Sequence, residues 1–560
     1  MPKPTNSTTK PSPHPHSDES IKETVESIVI AFILAFIFRA YVVEAFIIPT
    51  GSMAPTLLGQ HIQINCSQCG YSFPVDNTPG AYTSPPPAIL CPMCRFPNAY
   101  NGLPIRNGDR ILVQKYTYLF NEPSRWDVVV FKTPIAFNND RTPGPTNNFI
   151  KRLVGLPNES IRILDGNIYT QPLDPQTNQP LSPDFKIARK STNPEAQQAV
   201  LRPIYHAQYI PLDQGRISST PGNIGQSRNI LIGMSYHQFP WQTPWTPTNS
   251  TDAFNWQIDN QRSYTYSPKT SSPSPSTITF DFARGHEHNR LAMYPYNELK
   301  DRSDLEPIED INLALTINPK TPNTAISLST TARWDDPDPA ALPYILTATI
   351  TAEGNALLTA TNQSTNKTTT LDVIPFPTLP PDTNTELQLR YIDQELSFWV
   401  NDSQILSHAY DLPLDFLANR RAPDPTPTIS ITLDKPATLH NVNLDRDLYY
   451  APRPTNGLLG HGAMIRTQDF PDQVPTGPVT RAQPFNIGPD EFFCLGDNSP
   501  SSSDSRAWQD VDAWISKNYF NSTDKIGVVP GELMLGRAFF VYFPAPYGYI
   551  PNFGDMRFIH

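Results

Sequence analysis

Hydrophobic and polar positions alternate along most of the chain. The stretches "INLALTIN" (311–318), "TAISLSTTARW" (324–334) and "YILTATITAEGNALLTAT" (344–361) are rich in β-branched residues and repeat with a period of two. Such alternation is typical of half-buried β-strands, whereas an amphipathic helix repeats every 3.6 residues. Because these stretches outnumber long helical patterns, the sequence predicts a mainly β fold.

One apolar run differs from this pattern. Within residues 21–45, Ile28 to Phe38 is strictly apolar, and a helix over Val25–Val43 would be about 28 Å long, just enough to cross a bilayer. The residues Phe38-Arg39-Ala40-Tyr41 make a poor signal-peptide cleavage site. A buried core helix would need a partner that the polar leader cannot supply. The run therefore predicts one uncleaved transmembrane helix over residues 21–45.

The flanks of this run predict its orientation. Residues 1–20 are rich in Pro, Ser and Thr and are expected to form a disordered cytoplasmic tail. Lys3, Lys10 and Lys22 precede the run, whereas residues 45–62 contain no Lys or Arg. Since positive residues favour the cytoplasmic side, everything after about residue 45 is expected outside the cytoplasm.

Composition narrows the class of protein. The chain has 560 residues, which suggests two to four domains, and 42 Lys+Arg against 53 Asp+Glu give a net charge of −11. This acidic balance argues against nucleic acid as a partner. The 62 prolines are about twice the usual share. We expect folded β-rich domains joined by Pro-rich loops.

Four of the five cysteines form two close pairs. Cys66 and Cys69 are followed after 21 residues by Cys91 and Cys94. This C-x2-C, C-x2-C spacing is close to that of four thiolates around one tetrahedral zinc ion. Two disulfides are the alternative, which a location outside the cytoplasm would favour. Structural zinc is preferred because a Pro-rich loop with little core of its own suits a metal site.

A serine and a lysine are candidates for catalysis. Ser52 lies in "FIIPTGSMAPTL" (46–57), where Gly51 permits close approach of the backbone. A serine needs a base, and no histidine stands in an obvious triad context. Lys151 lies within the apolar strand pattern "NNFIKRLVGLP". Burial there would lower its pKa from about 10.4 towards roughly 7 or 8, giving a neutral amine; a solvated surface lysine is the alternative.

A third segment, "FFCLGDNSPSSSDSRAW" (492–508), places many polar residues after an apolar strand. Together with "IPTGSMAPTL", "NGDRILVQKYTY", "RWDVVVFKTP", "FIKRLVGLP" and "GELMLGRAFFVYFP", its "LGDNSPSSSDSR" resembles the motifs of bacterial type I signal peptidases, in the family's order. These are membrane-anchored endopeptidases with a Ser-Lys dyad. The resemblance covers about 40% of the chain.

The resemblance implies roles for individual residues. Ser52 would be the nucleophile and Lys151 the general base, with no cofactor for catalysis. The Thr50 hydroxyl and the Ser52 N–H would form the oxyanion hole. The supporting residues would be Ser502 beside the lysine amine, Asp504 and Arg506 as an ion pair, and Asp497 and Asn498 in the turn. Shallow pockets for small side chains at the −1 and −3 positions would be lined by Phe46, Ile48 and Ile150.

The resemblance is interrupted by two insertions. The catalytic domain is expected at 46–222 and 451–560, with the four-cysteine insert at 60–105. Residues 223–450 contain a Pro/Ser-rich linker, "SYTYSPKTSSPSPSTIT", and the alternating strands. They resemble a laminin-G or concanavalin-like β-sandwich, a likeness of pattern rather than motif.

The family resemblance implies cleavage of N-terminal signal peptides from exported preproteins at the outer side of the bacterial cytoplasmic membrane. Expected partners are signal peptides and membrane lipid. The four-cysteine insert is expected either to form a rim over the substrate groove or to contact the secretion translocon. Two other hypotheses remain. One is a self-cleaving Ser-Lys protein. The other is a binding or scaffold protein on a signal-peptidase-like fold, in which the sandwich carries the function.

Overall fold

The computed structural model describes most of the chain, in the following ranges: 18–76, 89–99, 102–135, 147–214, 241–249, 252–260, 262–269, 274–284, 308–334, 342–414, 426–450, 484–499, 502–508, 510–520, 525–546, 550 and 552–560. The described residues begin at position 18, so positions 1–17 of the expected tail lie outside them. So do the two predicted domain boundaries near residues 222 and 451.

Strands dominate the described residues, as the alternating pattern predicts. The helices are α1 (Asp18–Tyr41), α2 (Thr117–Phe120), α3 (Pro194–Val200) and α4 (Ala513–Tyr519). The strands are β1 (Val43–Ile47), β2 (His61–Asn65), β3 (Ser72–Asp76), β4 (Ile89–Leu90), β5 (Pro97–Asn98), β6 (Ile105–Arg106), β7 (Arg110–Gln114), β8 (Val128–Lys132), β9 (Asn148–Gly155), β10 (Glu159–Leu164), β11 (Asn167–Pro172), β12 (Lys186–Ile187), β13 (Arg202–His206), β14 (Trp245–Pro247), β15 (Trp256–Asp259), β16 (Ser263–Tyr266), β17 (Ser276–Phe280), β18 (Ile311–Pro319), β19 (Ile326–Ala332), β20 (Tyr344–Ile350), β21 (Asn355–Thr361), β22 (Thr368–Pro375), β23 (Thr385–Ile392), β24 (Glu395–Val400), β25 (Ser403–Ala409), β26 (Ile429–Leu433), β27 (Ala437–Arg446), β28 (Phe485–Ile487), β29 (Glu491–Leu495), β30 (Val529–Pro530), β31 (Met534–Phe543) and β32 (Arg557–Phe558).

The first large sheet joins the two ends of the chain. Its order is β1-β7-β31-β8-β9-β29-β30, with β32 on β31. Both faces of β8 are buried, because Val128 and Val130 pack in one apolar cluster and Val129 and Phe131 in another. Strands covered on both faces read as continuous apolar runs, as "VVVF" does. A smaller sheet, β12-β11-β10-β28, continues this part of the molecule.

Two further antiparallel sheets form the inserted body. Their orders are β15-β16-β27-β18-β23-β24-β25, with β13 on β27, and β14-β17-β26-β19-β20-β21-β22. The inward side chains of both sheets form one apolar cluster, which includes Leu313, Leu389 and Ile431. Inward apolar residues alternate with outward polar ones, as expected for packed sheets. The assignment to the laminin-G or concanavalin type stays a prediction.

Strand pairing departs from the predicted division of the chain in two places. Strand β13 (Arg202–His206) was expected in the catalytic domain, but it pairs with β27 of the inserted body. The segment expected as a Pro/Ser-rich linker contains β16 and β17, which pair with β27 and β26. Serine and proline content is only a compositional guide, whereas cross-strand pairing decides membership of a sheet.

The N-terminal helix ends earlier than predicted. Helix α1 stops at Tyr41, and residues 43–45 belong to β1, which pairs with β7. The β-branched Val43 and the alternation that follows favour a strand. Among the described residues, no helix is both long and apolar enough to cross a membrane. The transmembrane helix predicted over residues 21–45 is therefore not confirmed.

Candidate active site

Ser52 lies on a tight turn between β1 and β2. Gly51–Met53 form one turn of 3-10 helix, closed by a hydrogen bond from Ala54 N to Gly51 O at 3.0 Å. Met53, Ala54 and Leu57 are fully buried, so apolar packing holds the turn from below. Ser52 itself is half-exposed. The turn thus presents the serine hydroxyl at the surface of a well-packed core.

Lys151 reaches Ser52 from strand β9. Its Nζ lies 2.9 Å from Ser52 Oγ and 2.9 Å from the Ile150 carbonyl oxygen. Lys151 is only 4% exposed. Burial lowers the pKa of Lys151 to about 8, although the Asp504 carboxylate acts in the opposite direction. A lysine in this state can accept a proton from a hydroxyl near neutral pH.

The third segment packs behind this pair. Arg506 and Asp504 form a buried ion pair, with Nη2 to Oδ2 at 2.5 Å and Nε to Oδ1 at 2.9 Å. Asp504 Oδ2 also accepts a hydrogen bond from Gly496 N at 3.0 Å. A Cβ at Gly496 would lie 2.2 Å from Ser502 Oγ and 2.5 Å from Ser52 O, so only glycine fits between them. The ion pair thus fixes the loop against the nucleophile turn.

Ser502 does not make the contact that was predicted for it. It is buried, as expected, but within the described part of the chain its hydroxyl has no hydrogen-bond partner. The second partner of the Lys151 amine is instead the Ile150 carbonyl. The lysine is oriented by the backbone of its own strand in this structure.

Asp497 and Asn498 hold two elements at once. Asn498 donates from its backbone N to Ser52 O and from Nδ2 to Gly51 O, each at 3.0 Å. Asp497 accepts from Arg152 Nε at 2.8 Å and Nη2 at 2.7 Å. Burial alone would raise the pKa of Asp497, but the Arg152 guanidinium holds it below its usual value. These two residues therefore join the nucleophile turn to the strand of the lysine.

Arg152 is the site residue that the sequence reasoning missed. Its side chain is 0% exposed and also donates to the Trp126 carbonyl at 2.8 Å. The sequence did contain a signal for Arg152, since it is a second charged residue, directly after Lys151, in an apolar strand. A buried charge needs a partner of opposite charge, and Asp497 supplies it from a distant segment.

The predicted pocket residues also meet. Ile48 belongs to the apolar cluster under the nucleophile turn, and Phe46 and Ile150 pack against it, both half-buried. Ile48 is largely covered, so Phe46 and Ile150 offer more surface to a substrate. Thr50 is exposed in extended backbone, and its side chain makes no capping hydrogen bond. Its hydroxyl is therefore free to face a bound group.

The four paired cysteines form a compact cluster. All four Sγ atoms lie within 4.8 Å of one another, with Cys66–Cys94 at 3.6 Å and Cys69–Cys91 at 3.5 Å. Each C-x2-C pair is followed by a residue with positive φ, Gly70 in one and Arg95 in the other. A tetrahedral zinc with bonds of about 2.3 Å places sulfurs about 3.8 Å apart. The cluster therefore fits such an ion.

The cysteine module is attached close to the nucleophile turn. Its strands β2 and β6 pair at its base, and both chain ends continue into the turn region. A Cβ at Gly59 would lie 2.4 Å from the Thr50 carbonyl carbon, and one at Gly108 would lie 1.8 Å from Ile48 O. The base of the module thus packs directly on the residues around Ser52.

Comparison with known proteins supports the motif resemblance. A family model described as signal peptidase, peptidase S26, matches residues 98–217 and 453–543. Over 162 residues the chain is 27% identical to a signal peptidase I of Leptolyngbya laminosa, covering 29% of this chain and 56% of that protein. These parts of the chain are similar to signal peptidases of the S26 family. A probable signal peptidase I-2 of Synechocystis sp. is 28% identical over 26% of this chain and 44% of its own length.

The match of this chain to these relatives is partial. The chain spans about half the length of the curated relatives it matches. Lys151 lies within the residues of the family model, whereas Ser52 precedes them. Among solved structures, the carbohydrate-binding module CBM66 from Bacillus subtilis aligns with 36% of this chain. The alignment covers 96% of the module, with 12% sequence identity and a TM-score of 0.23. That score is too low to support an assignment.

Proposed function

We propose that the chain is a serine endopeptidase that cleaves signal peptides from exported preproteins. The observation that carries this proposal is the 2.9 Å distance between Lys151 Nζ and Ser52 Oγ, with the lysine buried. A serine alone is a poor nucleophile, and a neutral amine at hydrogen-bond distance is what activates it. The S26 family and the names of its relatives support the reaction class.

The geometry supports a mechanism with an acyl-enzyme. Lys151 accepts the proton of Ser52 Oγ as the oxygen attacks the scissile carbonyl carbon. The lysine then donates this proton to the leaving amine, which releases the mature protein. A water molecule, deprotonated by Lys151, attacks the ester carbon and frees the signal peptide and Ser52.

Negative charge develops on the carbonyl oxygen during the attack, and hydrogen-bond donors must stabilise it. We assign the backbone N–H of Ser52 and the hydroxyl of Thr50 to this role, because the exposed Thr50 side chain makes no capping bond. Phe46 and Ile150 would border the pockets for the residues at −1 and −3. Shallow pockets select by steric rejection, so alanine would be accepted and leucine refused.

For the cysteine module we propose structural zinc held by Cys66, Cys69, Cys91 and Cys94. A zinc ion would fix the tip of a module whose base packs against Thr50 and Ile48. Metal analysis of the purified protein should give one zinc per chain. Absence of zinc together with absence of free thiols would favour two disulfides instead.

We place the enzyme at the outer face of the bacterial cytoplasmic membrane, where signal peptides are exposed. Large apolar side chains of α1, among them Phe32, Leu34 and Phe36, are exposed and lie shortly before β1. Contact of these residues with lipid would hold Ser52 close to the membrane surface and raise its effective concentration towards membrane-bound substrate. The translocon is a further proposed partner, through the cysteine module.

The experiment is cleavage of a purified preprotein in detergent by the full chain. Wild type should release the mature protein, and Ser52→Ala and Lys151→Ala should each lose activity by a factor of at least about a thousand. Lys132→Ala, which changes a half-buried lysine on the neighbouring strand β8, is the matched control and should stay near wild type. Equal processing by all variants, or none by wild type, would refute the proposal.

A further inference from the structure

The catalytic part, which comprises the sheets that contain β9 and β10, meets the inserted body through a buried contact. Lys190 Nζ lies 2.6 Å from Asp393 Oδ1 and 2.9 Å from Asp447 Oδ2, and the lysine is 2% exposed. Gln394, which follows Asp393, donates from Nε2 to the Tyr169 hydroxyl at 2.9 Å. Breaking a buried ion pair is costly because it leaves uncompensated charge. The inserted body is therefore held firmly against the catalytic part.

Arg202 connects the inserted body with the turn that carries Ser52. It begins strand β13, which pairs with β27 of the inserted body. Its Nη1 donates to the backbone carbonyls of Ala199 and Leu201, at 3.0 and 2.9 Å, and its Nη2 donates to Thr56 Oγ1 at 3.3 Å. Thr56 closely follows Ser52 in the chain. A side chain of the inserted body thus contacts the segment of the nucleophile.

The Thr56 hydroxyl extends this contact to Asp497. Its Oγ1 donates to Asp497 Oδ2 at 2.6 Å. The same carboxylate accepts two hydrogen bonds from Arg152, which directly follows Lys151 in strand β9. A hydroxyl that accepts from a cation becomes a stronger donor, because hydrogen bonds in a chain polarise one another. Arg202 therefore strengthens the bond between Thr56 and Asp497.

Arg202 is charged at neutral pH. Burial lowers its pKa to about 10, although the Asp497 carboxylate acts in the opposite direction. Its hydrogen bonds to described residues go to backbone carbonyls and to Thr56, not to a carboxylate. Burial would raise the pKa of Asp497, whereas Arg152, the Thr56 hydroxyl and the Arg202 charge lower it. The carboxylate therefore stays ionised, and both arginines contribute to this.

We propose that Arg202 is a positioning residue for cleavage, acting through Thr56 on Asp497. This inference rests on the proposed peptidase function. Asn498, next to Asp497, donates its backbone N–H to Ser52 O at 3.0 Å, so a shift of Asp497 would move the support of the nucleophile. Because Arg202 acts through this chain of hydrogen bonds and not on the substrate, its loss should lower kcat and leave KM nearly unchanged.

The test measures the kinetics of preprotein cleavage by the full chain and its variants. Arg202→Met and Thr56→Val should each lower kcat about tenfold, with KM within about twofold of wild type. The double variant should lose no more than either single variant, because Arg202 acts through Thr56. Thr56→Ser keeps the hydroxyl and should restore most of the rate. Arg284→Met removes an arginine of the inserted body that also donates to a backbone carbonyl, Thr243 O at 3.0 Å, and should cleave as wild type does.

A second readout needs no substrate. The amides of Leu57 and Asn498 each donate a hydrogen bond of 3.0 Å to the nucleophile turn, so both should exchange slowly with deuterium. In Arg202→Met and in Thr56→Val, peptides that contain these amides should exchange them at least about threefold faster, as measured by mass spectrometry. Strand β20 of the inserted body should exchange as in wild type, which excludes general destabilisation.

Three results would overturn the proposal. They are unchanged exchange at Leu57 and Asn498 in both variants, a wild-type kcat for Arg202→Met, and additive loss of kcat in the double variant. Should Arg202→Met not fold, Arg202→Gln takes its place, because a shorter polar side chain suits a half-buried position. A wild-type chain that cleaves no preprotein would refute the proposed peptidase function, and the exchange rates would still decide whether Arg202 holds the turn.

Discussion

The surroundings of Ser52 in the catalytic part, which comprises the sheets that contain β9 and β10, differ from the centre of the inserted body in the side chains that they bury. Around Ser52 the buried residues include Lys151, Arg152, Asp504 and Arg506, which are charged types. The central cluster of the inserted body is aliphatic and aromatic. An unpaired buried charge lowers the free energy of unfolding by several kcal/mol, whereas a buried apolar side chain stabilises the folded state. The buried residues around Ser52 therefore hold charged groups in a fixed arrangement, whereas those between the two sheets stabilise the fold.

Breaking a buried ion pair in the catalytic part should have the largest effect on stability. Arg152→Met leaves the Asp497 carboxylate buried without its partner, so the free energy of unfolding should fall by about 3–5 kcal/mol and cleavage should be lost. Urea unfolding followed by tryptophan fluorescence measures this. Arg262→Met, at an exposed turn, is the control and should change stability by less than about 0.5 kcal/mol. An unchanged urea midpoint for Arg152→Met would contradict a stabilising role for the pair.

A cavity in the inserted body should separate stability from activity. Leu389→Ala removes a fully buried side chain of β23 and should lower the free energy of unfolding by about 2–5 kcal/mol. Cleavage per folded molecule, measured well below the unfolding temperature, should stay near wild type because Leu389 lies in the core of the other part. A fall in kcat at that temperature would show that the two cores are coupled.

Loss of one hydrogen bond at the nucleophile turn should affect rate more than affinity. Asn498→Ala removes the hydrogen bond from Nδ2 to Gly51 O. The loss should raise the activation free energy of cleavage by about 1–3 kcal/mol. We expect kcat to fall while KM changes little, and the pKa seen in the pH profile to remain. Asn318→Ala, which removes an exposed hydrogen bond in the inserted body, should leave both constants unchanged. Equal kinetics for the two variants would argue against a positioning role for Asn498.

The last prediction needs no substitution and concerns the dependence of cleavage on pH. Because burial lowers the pKa of Lys151 to about 8, the neutral amine is lost as the pH falls through that value. The rate should decrease about tenfold per pH unit below 8 and level off above it. Measurement of kcat/KM between pH 6 and 10.5 checks this. A rate that still rises near about 10.4, the value of free lysine, would indicate a solvated amine.

Much of the catalytic part was predictable because its motifs are local. The strand at Lys151 follows from its apolar neighbours, and "TGSM" lies between two prolines that favour a turn. The Arg152–Asp497 pair was not predictable, because its partners are 345 residues apart. The contact of Lys190 with Asp393 and Asp447 was missed for the same reason. Composition also misled at β16 and β17, where cross-strand pairing outweighs serine and proline content.

The sequence by itself determined the period of the strands, the order of the motifs and the cysteine spacing, since each depends on residues close together in the chain. Only the tertiary structure decided which charges meet. Burial and pairing depend on how distant strands pack, so the amine of Lys151 and the carboxylate of Asp497 acquire their properties only in the folded protein.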